Sequence, residues 1–363
     1  MRLRCGRKCA IPKIYVKTPK IAPKIWYNLR HIRRPNMYPN IPFPAAILFL
    51  AAGLWALAWS ANKFVDAAGS MASRLGVPPF IIGMVVIGFG TSAPELAVSA
   101  LSALGGYSGL SLGNAWGSNI YNIAVILGVA ALIKPIAIRN ISALCSAAML
   151  VGISLLSGIL VYAGNGLSRI DALIMLTAFA ILLPISCRIE KLSNTNESAE
   201  APSSNMAHPY LRALASLAIL IGSSHLLVWG AVDVARFFNV SELLIGLTIV
   251  AAGTSLPELA SAIVSARRGQ HDFVVGNIVG SNFFNTLAVV GISGLLAPFE
   301  TQNNASIFRD LAVMTILSFS ILLFGFNFKS VKGSGSIGHI KGLLWLISFV
   351  AYLILILFQE QLP

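Results

Sequence analysis

The stretch GTSAPELA at residues 90–97 recurs as GTSLPELA at residues 253–260, and both copies lie inside long apolar segments. An ionised carboxylate at mid-membrane costs about 2.5 kcal/mol or more, so a glutamate in such a segment indicates a functional site or a charged partner. Of the 13 acidic residues, only Glu95 and Glu258 lie well within apolar segments, and the cores of those segments contain no Lys or Arg. A cation from solution is therefore the simplest counter-charge.

Composition places the chain in a membrane. Its 363 residues are 56% hydrophobic and 11% charged, with a mean hydropathy of +0.79, which is more apolar surface than a soluble domain of this length can bury. Its apolar runs are continuous rather than alternating, which excludes a β-barrel. Runs long enough to span a bilayer predict ten helices, at residues 44–62, 78–103, 110–133, 140–163, 168–187, 211–236, 240–265, 272–296, 307–327 and 340–358.

A second repeated element shows that a whole unit was duplicated. GNAWGSNIYN begins at Gly113 and GNIVGSNFFN at Gly276, and this shift of 163 residues also separates Gly90 from Gly253. Each unit holds five predicted spans, so the second copy enters the membrane from the opposite side, as in many secondary transporters. We expect an all-α integral membrane protein of ten transmembrane helices in two inverted five-helix repeats. The predicted regions are a basic tail (1–43), the first repeat (44–187), a linker (188–210) and the second repeat (211–358).

The residues of the first motif suit a hard cation. Proline removes a backbone donor and disfavours helix just before it, so Pro94 and Pro257 predict breaks that free carbonyl groups of the Gly-Thr-Ser stretch. In each copy a threonine precedes the glutamate by four residues, which places both side chains on one face where helical geometry continues. Alkali and alkaline-earth cations prefer such oxygen ligands, whereas copper, zinc or iron would require His and Cys.

The second motif draws a polar stripe along a helix face. Its residues recur every four positions: Asn114, Ser118 and Asn122, then Asn277, Ser281 and Asn285. We interpret the serines and the last asparagine of each copy as site residues, and Asn114, Asn119, Asn277 and Asn282 as packing residues. The paired glycines, Gly113 with Gly117 and Gly276 with Gly280, predict close approach of a neighbouring helix.

Together the two motifs resemble the alpha repeats of the cation/calcium antiporter superfamily, particularly the prokaryotic sodium/calcium exchanger type. The resemblance extends over about residues 45 to 358 and implies that the first and sixth helices slide past a core that holds the site. Many members carry aspartate where this chain has Asn285, so the expected site has two carboxylates. The ligands that the resemblance implies are Glu95 and Glu258, the carbonyls of Thr91 and Thr254, and Ser92, Ser255, Ser118, Asn122, Ser281 and Asn285.

These observations predict a secondary antiporter that exchanges Ca²⁺ for Na⁺ by alternating access. Because two glutamates neutralise one Ca²⁺ or two Na⁺, a third Na⁺ would leave one positive charge and make exchange electrogenic. The alternatives are Ca²⁺/H⁺ or another cation/proton exchange on the same scaffold and, less favoured, a cation channel. No nucleophile-and-base pair can be assembled around the glutamates, so we do not expect an enzyme. The expected partners are Ca²⁺, Na⁺ or H⁺ and the lipid bilayer, with no cofactor and no obligate protein partner.

Charge predicts the orientation of the chain. Alternate connections between predicted spans carry 12 Lys and Arg on one side and three on the other. The positive-inside rule then places the linker in the cytoplasm of an inner-membrane protein. Residues 1–36 contradict this orientation, since they carry 11 Lys or Arg and no acid. We therefore expect translation to start at Met37, which lowers the net charge to +2 and removes any reason to expect nucleic-acid binding.

Overall fold

A computed structural model describes most of the predicted membrane-spanning region. The described residues are 41–104, 108–138, 141–164, 166–193, 208–238, 251–300, 304–326 and 335–361. The predicted start at Met37, nearly all of the basic tail, most of the predicted linker and the first part of the span predicted at 240–265 lie outside them.

The first copy is helical throughout its described spans. Its first helix was expected to end near residue 62 but continues to Leu75, because residues such as Phe64, Val65 and Ala68 keep an apolar face buried. It ends where Gly76 adopts a φ of +59°, a conformation that glycine allows at low cost. The helices are α1 (Phe43–Leu75), α2 (Pro79–Ile82), α3 (Phe89–Thr91), α4 (Ala93–Leu104), α5 (Ser108–Tyr121), α6 (Gly128–Ile133), α7 (Ile141–Ala163) and α8 (Arg169–Ser193).

The second copy repeats this order. Its helices are α9 (Pro209–Phe237), α10 (Ala251–Thr254), α11 (Leu256–Arg267), α12 (His271–Phe283), α13 (Val290–Leu296), α14 (Asn304–Gly325) and α15 (His339–Gln361). Within the described ranges, three π-helical turns join successive helices: Gly83–Gly88 between α2 and α3, Asn122–Leu127 between α5 and α6, and Phe284–Val289 between α12 and α13. Such turns often occur at functional sites.

Most of these helices are long and apolar enough to cross a bilayer. Within the described residues eight helices meet that test, and the bent pair Pro79–Thr91 and Ala93–Ala100 makes a ninth if it is one span. In the stretch His271–Leu296, every residue of the most apolar 18-residue window is buried in the protein. In the last helix, only 11% of the corresponding window is buried. The chain is therefore a multi-pass membrane protein with α12 and α13 at its centre.

In the described part of the chain, two small antiparallel sheets connect the copies. Strand β1 (Ile136–Ile138), which follows α6, pairs with β4 (Gly335–Ile337), which precedes α15. Strand β2 (Gly166–Leu167), which precedes α8, pairs with β3 (Phe299–Glu300), which follows α13. Each sheet thus takes one strand from each copy.

Helices α1 and α9 pack along one another as a separate layer. An added Cβ at Gly53 would lie 2.7 Å from the backbone nitrogen of Leu227, and one at Gly230 would lie 2.6 Å from the backbone nitrogen of Leu50. Their buried side chains supply most of a second hydrophobic cluster, which also includes Ile82, Ile87, Val264 and Phe273 and is smaller than the one formed by the central helices.

The central helix α12 contacts the turn Gly83–Gly88 through its backbone. Side chains added at Gly276 or Gly280 would collide with the backbone oxygens of Phe80 and Met84, respectively. The prediction of close approach at these two glycines is confirmed. The prediction for Gly113 and Gly117 stays a prediction, because residues 246–251, which correspond in sequence to that turn, lie almost entirely outside the described part of the chain.

Candidate functional site

Each copy of the first motif breaks its helix at the serine before the proline. Ser92 has φ −83° and ψ 7°, and Ser255 has φ −92° and ψ 9°, so both leave helical geometry at equivalent positions. A new helix starts at the next residue and holds the glutamate in its first turn. The N-terminal end of a helix carries a partial positive charge, which favours a carboxylate there. The breaks predicted from Pro94 and Pro257 are therefore present, and they aim both glutamates alike.

The serine and glutamate side chains of each motif form hydrogen bonds with those of the other motif. The Ser92 hydroxyl donates to Oε1 of Glu258 at 2.9 Å, and the Ser255 hydroxyl donates to Oε1 of Glu95 at 3.0 Å. Each serine therefore orients the glutamate of the opposite copy. The crossed arrangement brings both carboxyl groups to one place between the copies.

The threonines flank the same carboxyl groups. The Thr254 side chain lies beside Glu95, and the Thr91 side chain lies beside Glu258. Thr91 also donates to the carbonyl of Ile87 at 2.8 Å. Both glutamates are fully buried, and Thr254, at 9% exposure, is the most exposed of the ten residues predicted to form the site.

Among the described residues, one oxygen of each glutamate has no hydrogen-bond partner. Oε2 of Glu95 and Oε2 of Glu258 are buried and accept no hydrogen bond. Within the described part of the chain, neither glutamate forms an ion pair with Lys or Arg. Buried carboxylates that lack such partners are costly unless a cation compensates them.

The asparagines at the start of the second motif fix the backbone around the glutamates. Asn114 donates from Nδ2 to the carbonyl of Glu95 at 3.1 Å, and Asn277 donates to the carbonyl of Glu258 at 3.4 Å. Asn114 also donates to the Ser99 hydroxyl at 2.9 Å. These bonds join neighbouring helices, as the packing interpretation predicts. The repeated pattern did not indicate a role for Ser99, because the equivalent position in the second copy is Ala262.

The remaining predicted site residues lie deeper in the same region. Ser281 donates from its hydroxyl to the carbonyl of Gly88 at 3.1 Å, and Asn122 donates to Oδ1 of Asn282 at 2.9 Å. Asn285 has neither side-chain polar atom bonded, and Ser118 is buried at 5% exposure.

Packing between the copies places these asparagines opposite the glutamates. Helix α4, which carries Glu95, packs against the π-helical turn that holds Asn285, and α11, which carries Glu258, packs against the turn that begins at Asn122. The buried acceptors Oδ1 of Asn122 and Oδ1 of Asn285 have no partner in the described ranges. The region therefore offers neutral oxygens beside two carboxylates.

Sequence reasoning missed the contacts between Asn119 and its neighbours. Asn119 donates from Nδ2 to the Thr286 hydroxyl at 2.6 Å and approaches the sulfur of Met314 at 3.3 Å. One difference between the copies could have indicated these contacts: the second copy has a polar residue, Thr286, where the first copy has Ile123.

The donor set is suited to a hard cation. Among the described residues there is no group of three or more His, Cys, Asp or Glu side chains that could hold a metal. The candidate site instead combines two carboxylates with hydroxyl and amide oxygens, which are ligands preferred by Ca²⁺ and alkali cations.

Comparison with known proteins reveals matches along nearly the whole described region. Residues 45–188 and 208–358 match the family described as sodium/calcium exchanger protein. The CaxA protein of Alkalimonas amylolytica is 38% identical over 85% of this chain and 97% of its own length. The inner membrane protein YrbG of Escherichia coli is 35% identical over 80% of this chain and 91% of its own.

A solved structure shares the fold. The structure of the sodium-calcium exchanger NCX_Mj soaked with Na⁺ and Sr²⁺ is 28% identical and has a TM-score of 0.73. The match covers 85% of this chain and 98% of that one. It therefore includes most of the helices described above.

Proposed function

Because the chain belongs to the sodium/calcium exchanger family, we propose that it exchanges Ca²⁺ for Na⁺ across the membrane by alternating access. Family membership makes it a cation/Ca²⁺ antiporter; its relatives are transporters rather than enzymes. One observation carries the finer proposal. Two buried glutamates, one from each copy, are each bonded by a serine of the opposite copy, and neither has a Lys or Arg partner within the described residues.

The ion site is built around Glu95 and Glu258. Their free Oε2 atoms supply the charge that Ca²⁺ requires, and the crossed serine bonds hold them in position. Ca²⁺ takes six to eight oxygens in a flexible shell, so further ligands are needed beside the carboxylates. We assign these to the carbonyls of Thr91 and Thr254 and to the side chains of Ser92, Ser255, Ser118, Asn122, Ser281 and Asn285.

Strand pairing supports ten crossings. Paired strands lie on the same side of the membrane, so the chain crosses an even number of times between β2 and β3. Helices α8 and α9 and the stretch His271–Leu296 give three crossings. The segment between α9 and α12, which contains Glu258, then supplies the fourth. With the bent span around Glu95, ten crossings result, and the second repeat (211–358) is inverted relative to the first (44–187).

Alternating access requires one layer to move past another. Helices α1 and α9 form such a layer, because they pack mainly on each other and meet the central helices through a small number of buried residues, such as Ile87, Val264 and Phe273. We propose that this pair slides over the core and opens the site to each side in turn. Spin labels at Trp55 and Ile347, both exposed, would report the motion. A label distance unchanged between saturating Na⁺ and saturating Ca²⁺ would refute it.

Loop charges place the 188–210 linker in the cytoplasm of the inner membrane. A cysteine at Ser198, in a background without the four native cysteines, tests the orientation with a membrane-impermeant maleimide. Labelling is expected only after cells are opened. Labelling of intact cells would reverse the topology.

Calcium uptake into proteoliposomes tests the function. We expect ⁴⁵Ca²⁺ uptake under an outward Na⁺ gradient, and loss of uptake in Glu95→Gln and Glu258→Gln. Asp171→Asn, at the start of α8 and remote in sequence from both motifs, is the matched acidic control and should retain uptake. Uptake driven only by an outward H⁺ gradient would assign protons as the coupling ion.

The charge carried per cycle is tested in the same vesicles. If three Na⁺ exchange for one Ca²⁺, each 100 mV of imposed potential biases exchange by about 2.3 kcal/mol per net charge. Uptake that does not respond to a K⁺/valinomycin potential would contradict electrogenic exchange.

A further inference from the structure

The asparagines of the two copies occupy equivalent positions but make different contacts. Asn122 corresponds to Asn285 and Asn119 corresponds to Asn282, at the offset of 163 residues. All four side chains are at most 1% exposed. Any difference in their hydrogen bonds therefore arises within the protein rather than from solvent.

In the first copy, a hydrogen bond fixes the side chain of Asn122. Asn122 donates from Nδ2 to Oδ1 of Asn282 at 2.9 Å, and its own Oδ1 has no partner. A carboxamide is planar, so fixing its nitrogen also fixes its oxygen. Asn122 thus presents an acceptor in one orientation.

In the other half the equivalent bond is missing. Symmetry would have Asn285 donate to Oδ1 of Asn119, but Asn119 instead donates to the Thr286 hydroxyl at 2.6 Å. Within the part of the chain that the structure describes, Oδ1 of Asn119 and both polar atoms of Asn285 have no partner. The first copy has Ile123 where Thr286 stands, so Asn282 meets no such competitor.

We propose that Thr286 is a positioning residue that, by holding Asn119, leaves the Asn285 carboxamide free to turn. This inference rests on the proposed cation site. Asn285 is then the adjustable ligand, which directs its oxygen to a bound cation when the load requires one, whereas Asn122 is the fixed ligand. In the proposed exchange, the protein binds one Ca²⁺ in one state and several Na⁺ in the other. These two sets of ions require different arrangements of oxygen ligands, so at least one ligand must be able to reorient.

Removal of the Thr286 hydroxyl should lock Asn285. In Thr286→Val, Asn119 is released and can accept from Asn285, which then presents a fixed oxygen like that of Asn122. Preorganised ligands bind more tightly. We expect apparent Ca²⁺ affinity to rise about 3- to 10-fold, the effect of one hydrogen bond, with Na⁺ competition weakened. Thr286→Ser keeps the hydroxyl and should behave as wild type.

The test is equilibrium ⁴⁵Ca²⁺ binding to the purified full chain, with Na⁺ titrated as competitor and melting temperature recorded. Thr315→Val is the steric control, since it removes a buried hydroxyl next in sequence to Met314 that has no hydrogen-bond partner among the described residues. Its binding should match wild type.

Several outcomes overturn the proposal. These are unchanged binding in Thr286→Val, equal effects in the Val and Ser variants, or weaker Ca²⁺ binding in Thr286→Val that serine restores, which would make the hydroxyl a direct support of the ion. Failure of the site itself gives a different result. Wild-type protein without Ca²⁺ binding, or Glu95→Gln and Glu258→Gln variants that bind normally, would remove the proposed function and this inference with it.

Discussion

The carboxylate end of the candidate site is nearly the same in both copies, whereas the asparagine end is not. The crossed bonds from Ser92 to Glu258 and from Ser255 to Glu95 differ by 0.1 Å. In contrast, Asn122 is bonded and Asn285 is not. Duplication has thus preserved the charged groups in equivalent surroundings and allowed the neutral ones to diverge.

This difference indicates a division of roles. The carboxylates must balance the charge of any load, so their surroundings are costly to change in either half. Amide oxygens contribute less charge and can differ without leaving a buried ion uncompensated. The predictions below test how far the equivalence of the two halves extends.

The largest effect is expected at the glutamates. Removal of one partner of a buried charge pair costs about 3–5 kcal/mol, so Glu95→Gln and Glu258→Gln should each weaken Ca²⁺ binding at least ~100-fold. Equivalent surroundings predict equal losses. Equilibrium ⁴⁵Ca²⁺ binding measures both, and size-exclusion profiles and melting temperatures check folding. Losses that differ by more than about 10-fold would break the equivalence.

A smaller effect is expected where α12 meets the turn before Glu95. A methyl group at Gly280 would collide with the backbone oxygen of Met84, and such overpacking costs about 1–3 kcal/mol. Gly280→Ala should therefore lower the melting temperature of the purified protein. Gly152→Ala is the control, because an added Cβ there meets nothing within 4 Å. Equal melting temperatures for the two variants would show that the close approach at Gly280 does not contribute to stability.

The crossed serines should contribute less than the glutamates. Each donates one hydrogen bond to a carboxyl group, a contact worth about 1.5 kcal/mol or more, so Ser92→Ala and Ser255→Ala should each weaken Ca²⁺ binding about 10-fold. Thr at either position retains the hydroxyl and provides the matched control. If Ca²⁺ binding is unchanged in one of the two alanine variants and weakened in the other, the two bonds are not equivalent.

The smallest effect concerns a contact between the two copies that has no counterpart in sequence. Arg268 forms an ion pair with Asp66 and donates to Oδ1 of Asn62 at 2.8 Å, whereas Gly105 occupies the equivalent position in the first copy. Side chains exposed by about a third gain little from pairing, about 0–1 kcal/mol, and salt screens them. Arg268→Gln should therefore change the melting temperature only slightly at low salt and not at high salt. A large loss that persists in high salt would contradict this.

Local features of the site were predictable because they depend on neighbouring residues. Pro94 and Pro257 cannot donate a backbone hydrogen bond, so each motif had to break its helix wherever the chain folded. The spacing of Gly276 and Gly280 likewise predicted close backbone approach, because four residues place both on one helix face.

Other features could not be read from the pattern. The end of α1 was expected near residue 62, but burial against neighbouring helices extends it to Leu75. Asn119 was assigned to packing by its residue type alone, and its bond to Thr286 depends on a side chain 167 positions away. No local rule indicates which of two buried acceptors an amide will choose.

The sequence by itself determined that this is a membrane protein built from a duplicated unit, with one glutamate per copy in an apolar segment. Those conclusions follow from hydropathy, offset and the cost of burying charge, all of which are properties of composition and order. Only the tertiary structure decided that each serine bonds the glutamate of the opposite copy, and that Thr286 holds Asn119 while Asn285 remains free. Such choices depend on separations of a few tenths of an ångström between residues distant in the chain, and packing alone sets these separations.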